Sequence, residues 1–232
     1  MLFQPAASIS VMEPWDGMRL APADLFASLR AELSGGRLER GRLHLPALRD
    51  EGAVRWCPEG EGATAIAYDP STVVSVKWPG YWRYLDLLPT TKFVVTLRHP
   101  AEVIGSFKAQ GGRVGLGLQY QTPFNSALNE QLGAATDDPA LRRVLLFDHV
   151  HERILPHLGR PEVFVLRYER WFQEPERLLE ELSAFLGIDG SRSPVALRPP
   201  RGDDPLDARD RDLLRTRCRT AEALGYDLGG PG

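Results

Sequence analysis

Apolar positions along this chain follow two rhythms. Between residues 23 and 33, Leu25, Phe26, Leu29 and Leu33 recur at three- and four-residue intervals, which places them on one face of a helix that Gly35-Gly36 stops. Pro139 opens a similar pattern through Leu141, Val144, Leu145, Val150 and Ile154. Pro175 opens another through Leu178, Leu179, Leu182, Phe185 and Leu186, closed by Gly187. A last helix is predicted to carry Leu213, Leu214, Cys218, Ala221 and Leu224 and to end at Gly225, and Tyr81–Leu88 also reads as helical. The second rhythm is unbroken apolarity. Thr72–Lys77, Lys92–Leu97 and Val163–Leu166 are short β-branched or apolar runs, predicted to be buried strands. Pro100 stands where a first helical residue belongs, because its missing N–H costs nothing there, and the helix continues through Val103, Ile104 and Phe107. Residues 37–62 read as loops or short elements, and Gly111–Gly117, with four glycines in seven residues, reads as irregular.

Strands that alternate with helices and are themselves continuously apolar predict an α/β fold, with a central parallel sheet covered on both faces in a three-layer sandwich. Ligands in such sheets bind beyond the carboxyl ends of the strands. Lys77, Arg98 and Arg167-Tyr168 all fall at or just past the end of a predicted strand.

Composition narrows the class. A chain of 232 residues fits one domain spanning 1–232. Hydrophobic residues make up 43% and charged residues 25%, ordinary for a soluble globular protein. The formal net charge of −3 offers no global basic field for nucleic acid, so any anion site must be local. Two cysteines, Cys57 and Cys218, make no disulfide framework, and a reducing, cytoplasmic location is expected. No apolar run approaches a membrane span, and the first residues do not form a signal peptide. No metal-ligand cluster is readable either: His149 and His151 diverge on a predicted helix, and with His157 they are read as surface or structural.

The chemistry concentrates in Lys92–Phe107. A strand leads to Arg98, His99 and Pro100, then to a helix that carries Ser106. Arginine presents a planar fork of donors suited to phosphate. The helix N-terminus is expected to add free N–H groups and a positive dipole end, and Ser106 a further donor. These groups describe an anion site of unspecified kind.

An arginine at a strand end, a proline two residues on and a serine eight residues after the arginine resemble the 3′-phosphate-binding motif of sulfotransferases that use 3′-phosphoadenosine 5′-phosphosulfate (PAPS). The resemblance implies a P-loop NTPase-like sulfotransferase fold, PAPS as co-substrate, 3′,5′-bisphosphoadenosine (PAP) as product, and Arg98 and Ser106 on the 3′-phosphate. Val76-Lys77-Trp78-Pro79 is similar to the family's Lys-x-Pro stretch, which implies that Lys77 stabilises the transferring sulfuryl group. Arg167-Tyr168-Glu169, followed by Glu174-Pro175-Glu176 and Phe185-Leu186-Gly187-Ile188, looks like a further family stretch and implies that Tyr168 approaches the nucleotide. Arg198–Asp203 is loosely similar to the family's late Arg- and Gly-rich loop and makes Arg201 a candidate second phosphate contact.

The start of the chain departs from the pattern. The family opens with a strand and a phosphate loop, commonly Pro-Arg-Ser-Gly-Thr-Thr, that cradles the 5′-phosphosulfate. Neither that segment nor a GxxxxGK pattern is present. Leu2-Phe3-Gln4-Pro5 and Val11-Met12-Glu13-Pro14 look like the end of the helix after that loop, followed by the family's acidic position. This implies Glu13 as catalytic base, and a chain that starts late, through a truncated gene model or natural shortening. The resemblance implies a hydroxyl acceptor and leaves small molecule, carbohydrate and peptide open, with Gly111–Gly117, Tyr120 and Phe124 as a candidate lid. The alternative reading is an inactive sulfotransferase-like fragment or nucleotide-binding pseudo-enzyme.

Overall fold

The computed structural model describes residues 8–12, 22–35, 37–38, 41–44, 55–57, 64–65, 73–77, 79–86, 91–188 and 205–229. In chain order these form β1 (Ser8–Met12), α1 (Pro22–Ser34), β2 (Arg37–Leu38), β3 (Gly41–His44), β4 (Arg55–Cys57), β5 (Thr64–Ala65) and β6 (Val73–Lys77). Next come β7 (Phe93–Leu97), α2 (Pro100–Gln110), α3 (Gly112–Gly115), α4 (Ser126–Ala135) and α5 (Pro139–Ile154). The remainder is β8 (Val163–Arg167), α6 (Arg170–Gln173), α7 (Pro175–Leu186) and α8 (Ala208–Arg217). The chain divides into two compact units, Met1–Lys92 with Gln173–Leu197, and Phe93–Phe172 with Arg198–Gly232.

In the first unit α1 buries Leu25, Leu29 and Leu33 along the predicted face. A four-stranded sheet runs in the order β4-β3-β1-β6. Strand β1 lies parallel to β6, from Ser8 opposite Val73 to Met12 opposite Lys77, and antiparallel to β3. Val11 and Met12 are therefore strand residues, where the sequence suggested only the approach to an acidic position. Of the helix expected over Tyr81–Leu88, the described part is a 3-10 turn at Tyr81–Tyr84, and Leu87 and Leu88 lie outside the described residues. Helix α7 buries Leu178 and Leu182 and ends as predicted at Gly187, whose φ of 71° takes the left-handed turn that a C-terminal glycine permits. Lys92 Nζ donates to the Phe185 carbonyl at 2.5 Å and lies 5.4 Å from the Phe185 ring centre.

The second unit is built around β7 and β8, which pair in parallel from Phe93 opposite Val163 to Leu97 opposite Arg167. Leu97, Ile104, Val144, Phe147, Leu206, Leu214 and Leu224 form its core, with Val95 and Val165 packed against it. Full burial of one such aliphatic side chain contributes about 1.5–3 kcal/mol. Prolines at the first position open α2 and α5, and the Asp138 carboxylate caps α5 by accepting from Ala140 N–H at 3.0 Å.

Among the described residues the strands of the first unit pair both parallel and antiparallel, and the second unit holds the small parallel sheet β7–β8. Three expectations change here. The predicted buried strands are only half covered: Leu97 is buried but Val94 is 41% exposed, because the core meets one face of the β7–β8 ladder. The glycine segment is not wholly irregular, since Gly112–Gly115 form a helical turn between glycines of positive φ, Gly111 and Gly117. The last helix also stops earlier than its apolar spacing suggests. Arg219 and Thr220 donate their backbone N–H groups to the buried Asp148 carboxylate at 3.0 Å, with the Thr220 hydroxyl adding a bond at 2.8 Å. Those bonds satisfy the amides outside helical geometry, so Ala221 and Leu224 reach the core from turns.

Candidate functional site

The parallel register of β7 and β8 makes the site edge. The residue after Leu97 is Arg98 and the residue after Arg167 is Tyr168, so two motif segments far apart in sequence end side by side. Tyr168 N–H donates to the Leu97 carbonyl at 2.8 Å, extending the ladder by one bond. The Arg98 guanidinium carbon lies over the Tyr168 ring, 4.5 Å from its centre, a cation–π contact. Tyr168 in turn meets Phe172 edge-on at 5.3 Å between ring centres.

Arg98 is already engaged by a carboxylate. Its Nε donates to Glu102, four residues on in the first turn of α2, with the two side chains 29% and 37% exposed. Ser106 is exposed one further turn along the same helix, four residues after Glu102 and so on the same helical face as that carboxylate. The signal for this ion pair in the sequence is the spacing of four between Arg98 and Glu102.

The helix N-terminus is not the source of free donors expected from the sequence. Pro100 has no N–H. Ala101 N–H donates to His99 Nδ1 at 3.2 Å, while Glu102 and Val103 N–H donate to the His99 carbonyl at 3.0 and 3.2 Å. First-turn amides are satisfied by His99, so the donors this edge could offer an anion are side chains, those of Arg98 and Ser106. The dipole of α2 still favours negative charge nearby.

A second carboxylate fixes the turn from behind. Glu169 accepts from His99 N–H at 2.8 Å through Oε1 and from the Tyr226 hydroxyl at 3.3 Å through Oε2. The His99 and Tyr226 rings meet edge-to-face at 5.4 Å. Arg167, at the end of β8, lies 5.2 Å from the Tyr226 ring centre and donates to the Leu224 carbonyl at 2.7 Å. Burial first, and the Glu169 charge second, push the Tyr226 hydroxyl up to about 12, so it stays protonated and able to donate. No spacing rule in the sequence points to Tyr226.

Of the remaining predicted site residues, Lys77 is the exposed last residue of β6, in the first unit. Glu13 and Arg201 lie outside the described residues. The predicted lid is clamped rather than loose. Arg143 donates to the Gly115 carbonyl at 2.7 Å and Arg142 to the Leu116 carbonyl at 3.2 Å. Asn125 and Asn129 hold the carbonyls of Tyr120 and Gln119 at 2.8 and 3.1 Å, which leaves Leu116, Tyr120 and Phe124 turned outward. His151 and His157 are buried, and His151 stacks on Phe147 at 3.9 Å, consistent with a structural role. No helix among the described residues is long and apolar enough to cross a membrane.

No protein-family model matches the chain, and no curated protein matches it. Solved structures that it is similar to include three that carry sulfotransferase domains. One is a sulfotransferase domain from the curacin biosynthetic pathway, at 22% identity and a TM-score of 0.37, covering 58% of this chain and 44% of that one. Another is a sulfotransferase from Alicyclobacillus acidocaldarius, at 17% identity and a TM-score of 0.41, covering 67% of this chain and 66% of that one. The third is a sulfotransferase domain from the Synechococcus PCC 7002 olefin synthase, at 17% identity and a TM-score of 0.34, covering 93% of this chain and 68% of that one. The chain thus spans less than half the length of the first of these.

Proposed function

We propose that this protein is a PAPS-dependent sulfotransferase that moves a sulfuryl group to a hydroxyl acceptor. The observation that carries the reading is the β7–β8 edge. Its parallel register sets Tyr168 beneath Arg98, in front of a proline-started helix that bears Ser106. A planar cation on an aromatic face suits a phosphate attached to a purine nucleoside. The resemblance of the same residues to the sulfotransferase 3′-phosphate motif narrows that anion to the 3′-phosphate of PAPS.

The reading assigns further roles. As the acceptor oxygen attacks sulfur, a new S–O bond forms and the bond from sulfur to the 5′-phosphate oxygen breaks, releasing PAP. The acceptor proton passes to a carboxylate, for which Glu13 is the candidate, and such a base contributes about 10²–10⁴-fold. Lys77 is the candidate cation for charge that develops on the transferring group. Sulfuryl transfer then resembles phosphoryl transfer in resting on positioning and charge stabilisation. Arg201 is assigned to the nucleotide, and the outward face of Leu116, Tyr120 and Phe124 to the acceptor. With these roles comes the family architecture, a three-layer, P-loop-like sandwich about a central parallel sheet, and a cytoplasmic setting.

A second reading is a nucleotide-binding protein without transfer activity. What favours it is the Arg98–Glu102 ion pair together with the filled first turn of α2, which leave few free donors at the edge. A thermal-shift titration of PAP and of ADP separates these possibilities. Preferential stabilisation by PAP, about 2.7 kcal/mol at a hundredfold excess over its dissociation constant, that disappears in Arg98→Ala supports the site. A preference that survives Arg98→Ala removes the assignment. PAP binding without turnover of PAPS favours the second reading.

A further inference from the structure

We infer that Glu169 is a positioning residue for the Arg98 site and that, with Tyr226, it ties the C-terminal segment to recognition of the 3′-phosphate. The inference rests on the sulfotransferase reading of that site. Arg167-Tyr168-Glu169 touches the Leu97–Pro100 segment at three points. Tyr168 N–H bonds the Leu97 carbonyl at 2.8 Å, and the Tyr168 ring supports the guanidinium at 4.5 Å. Glu169 holds His99 N–H at 2.8 Å. Two of these contacts flank Arg98 directly in the backbone, one before it and one after it. Without Glu169 the His99 N–H loses its partner and the peptide that follows Arg98 is free to rotate.

The other carboxylate oxygen reaches Tyr226. Tyr226 is itself placed by its N–H bond to the Ala221 carbonyl at 2.9 Å and by Arg167 beside its ring. Gly225 makes that approach possible. Its φ is +80°, and a Cβ there would stand 3.1 Å from Arg167 Nη2. Segment 221–226 therefore closes a loop of contacts that runs from Arg167 through Tyr226 and Glu169 to His99. Glu169 spends its two oxygens on His99 N–H and the Tyr226 hydroxyl, whereas Glu102 is the carboxylate that bonds the Arg98 guanidinium.

Glutamate and glutamine differ instructively here. A glutamine can accept from His99 N–H with its carbonyl oxygen and donate to the Tyr226 oxygen with its amide. Glu169→Gln should therefore preserve function where Glu169→Ala does not. The test measures calorimetric affinities of the whole chain for PAP and for adenosine 5′-monophosphate, which lacks the 3′-phosphate. Glu169→Ala is expected to cut the PAP-to-monophosphate preference by about tenfold, with Glu169→Gln close to wild type and Tyr226→Phe falling between. A general loss of structure would weaken both nucleotides alike. Tyr226→Phe removes one oxygen and keeps the test open if Glu169→Ala fails to fold. A wild-type preference for PAP that Glu169→Ala and Tyr226→Phe both retain overturns this inference alone. A wild-type protein without preference for PAP overturns the sulfotransferase reading and this inference with it.

Discussion

Removing Asp210 should destabilise the second unit more than any change at the proposed site. The Asp210 side chain is 1% exposed and receives Arg143 Nη2 at 2.6 Å and Lys108 Nζ at 2.5 Å, with Arg143 itself only 7% exposed. It also completes the capping box of α8, in which Asp207 N–H donates to Asp210 and Asp210 N–H to Asp207. Asp210→Ala leaves a buried guanidinium without its counter-ion, and breaking a buried pair in this way costs about 3–5 kcal/mol. For a chain of this size that corresponds to a fall in Tm of about 6–20 °C. Arg143 also anchors the Gly115 carbonyl, so Arg143→Met should loosen the 111–117 segment as well. Urea unfolding followed by circular dichroism, on both single variants and the double variant, gives the coupling between them. The double variant should be less destabilised than the sum of the singles by about 1 kcal/mol or more. Singles that each cost less than about 1 kcal/mol, or effects additive within about 0.5 kcal/mol, would refute the argument.

Two glycines should respond with opposite signs. At Gly117, φ is +73° and a Cβ would sit 2.6 Å from Arg143 N, so Gly117→Ala should cost about 2–5 kcal/mol from left-handed strain and overpacking together. At Gly133, inside α4, a Cβ meets nothing within 4 Å, so Gly133→Ala should stabilise by about 0.4–1 kcal/mol; urea midpoints check both. The hydrogen bond from Lys108 holds the Asp207 carboxyl down at about 2. A depressed carboxyl contributes stability above its unfolded value of about 3.9 and loses it as pH falls through its folded value. Asn caps a helix as well as Asp, so Asp207→Asn isolates the charge. Its Tm deficit near neutral pH should shrink as pH falls from about 4 to about 2, and a deficit constant across that window would contradict the assignment.

What the sequence revealed depended on how local the cause was. Helix starts at Pro100, Pro139 and Pro175 were legible because proline at a first helical position acts within one turn. The ends of β7 and β8 were legible for the same reason, and with them the placement of Arg98 and Tyr168 at one edge. The early end of α8 was not legible, because the carboxylate that captures Arg219 and Thr220 sits 71 and 72 residues away on α5. Pairing of β1 with β6 was hidden too, since five residues, Ser8–Met12, carry no period that names their partner. The half-exposed faces of β7 escaped notice because unbroken apolarity does not say which side the core will cover. Near the site, the use of His99 to fill the first turn of α2 reverses an expectation based on helix termini in general. The brace through Glu169 and Tyr226 depends on a contact between residues 57 apart.

The central claim is that the Arg98 edge holds the 3′-phosphate of a bisphosphorylated adenosine. Phosphorus NMR of PAP resolves its 3′- and 5′-phosphates as separate resonances and so tests the claim at the group concerned. The account predicts that adding wild-type protein shifts or broadens the 3′-phosphate resonance, and that Arg98→Ala returns it to its free position. A 3′-phosphate resonance that does not move with the wild-type protein, or that moves equally with Arg98→Ala, would contradict it.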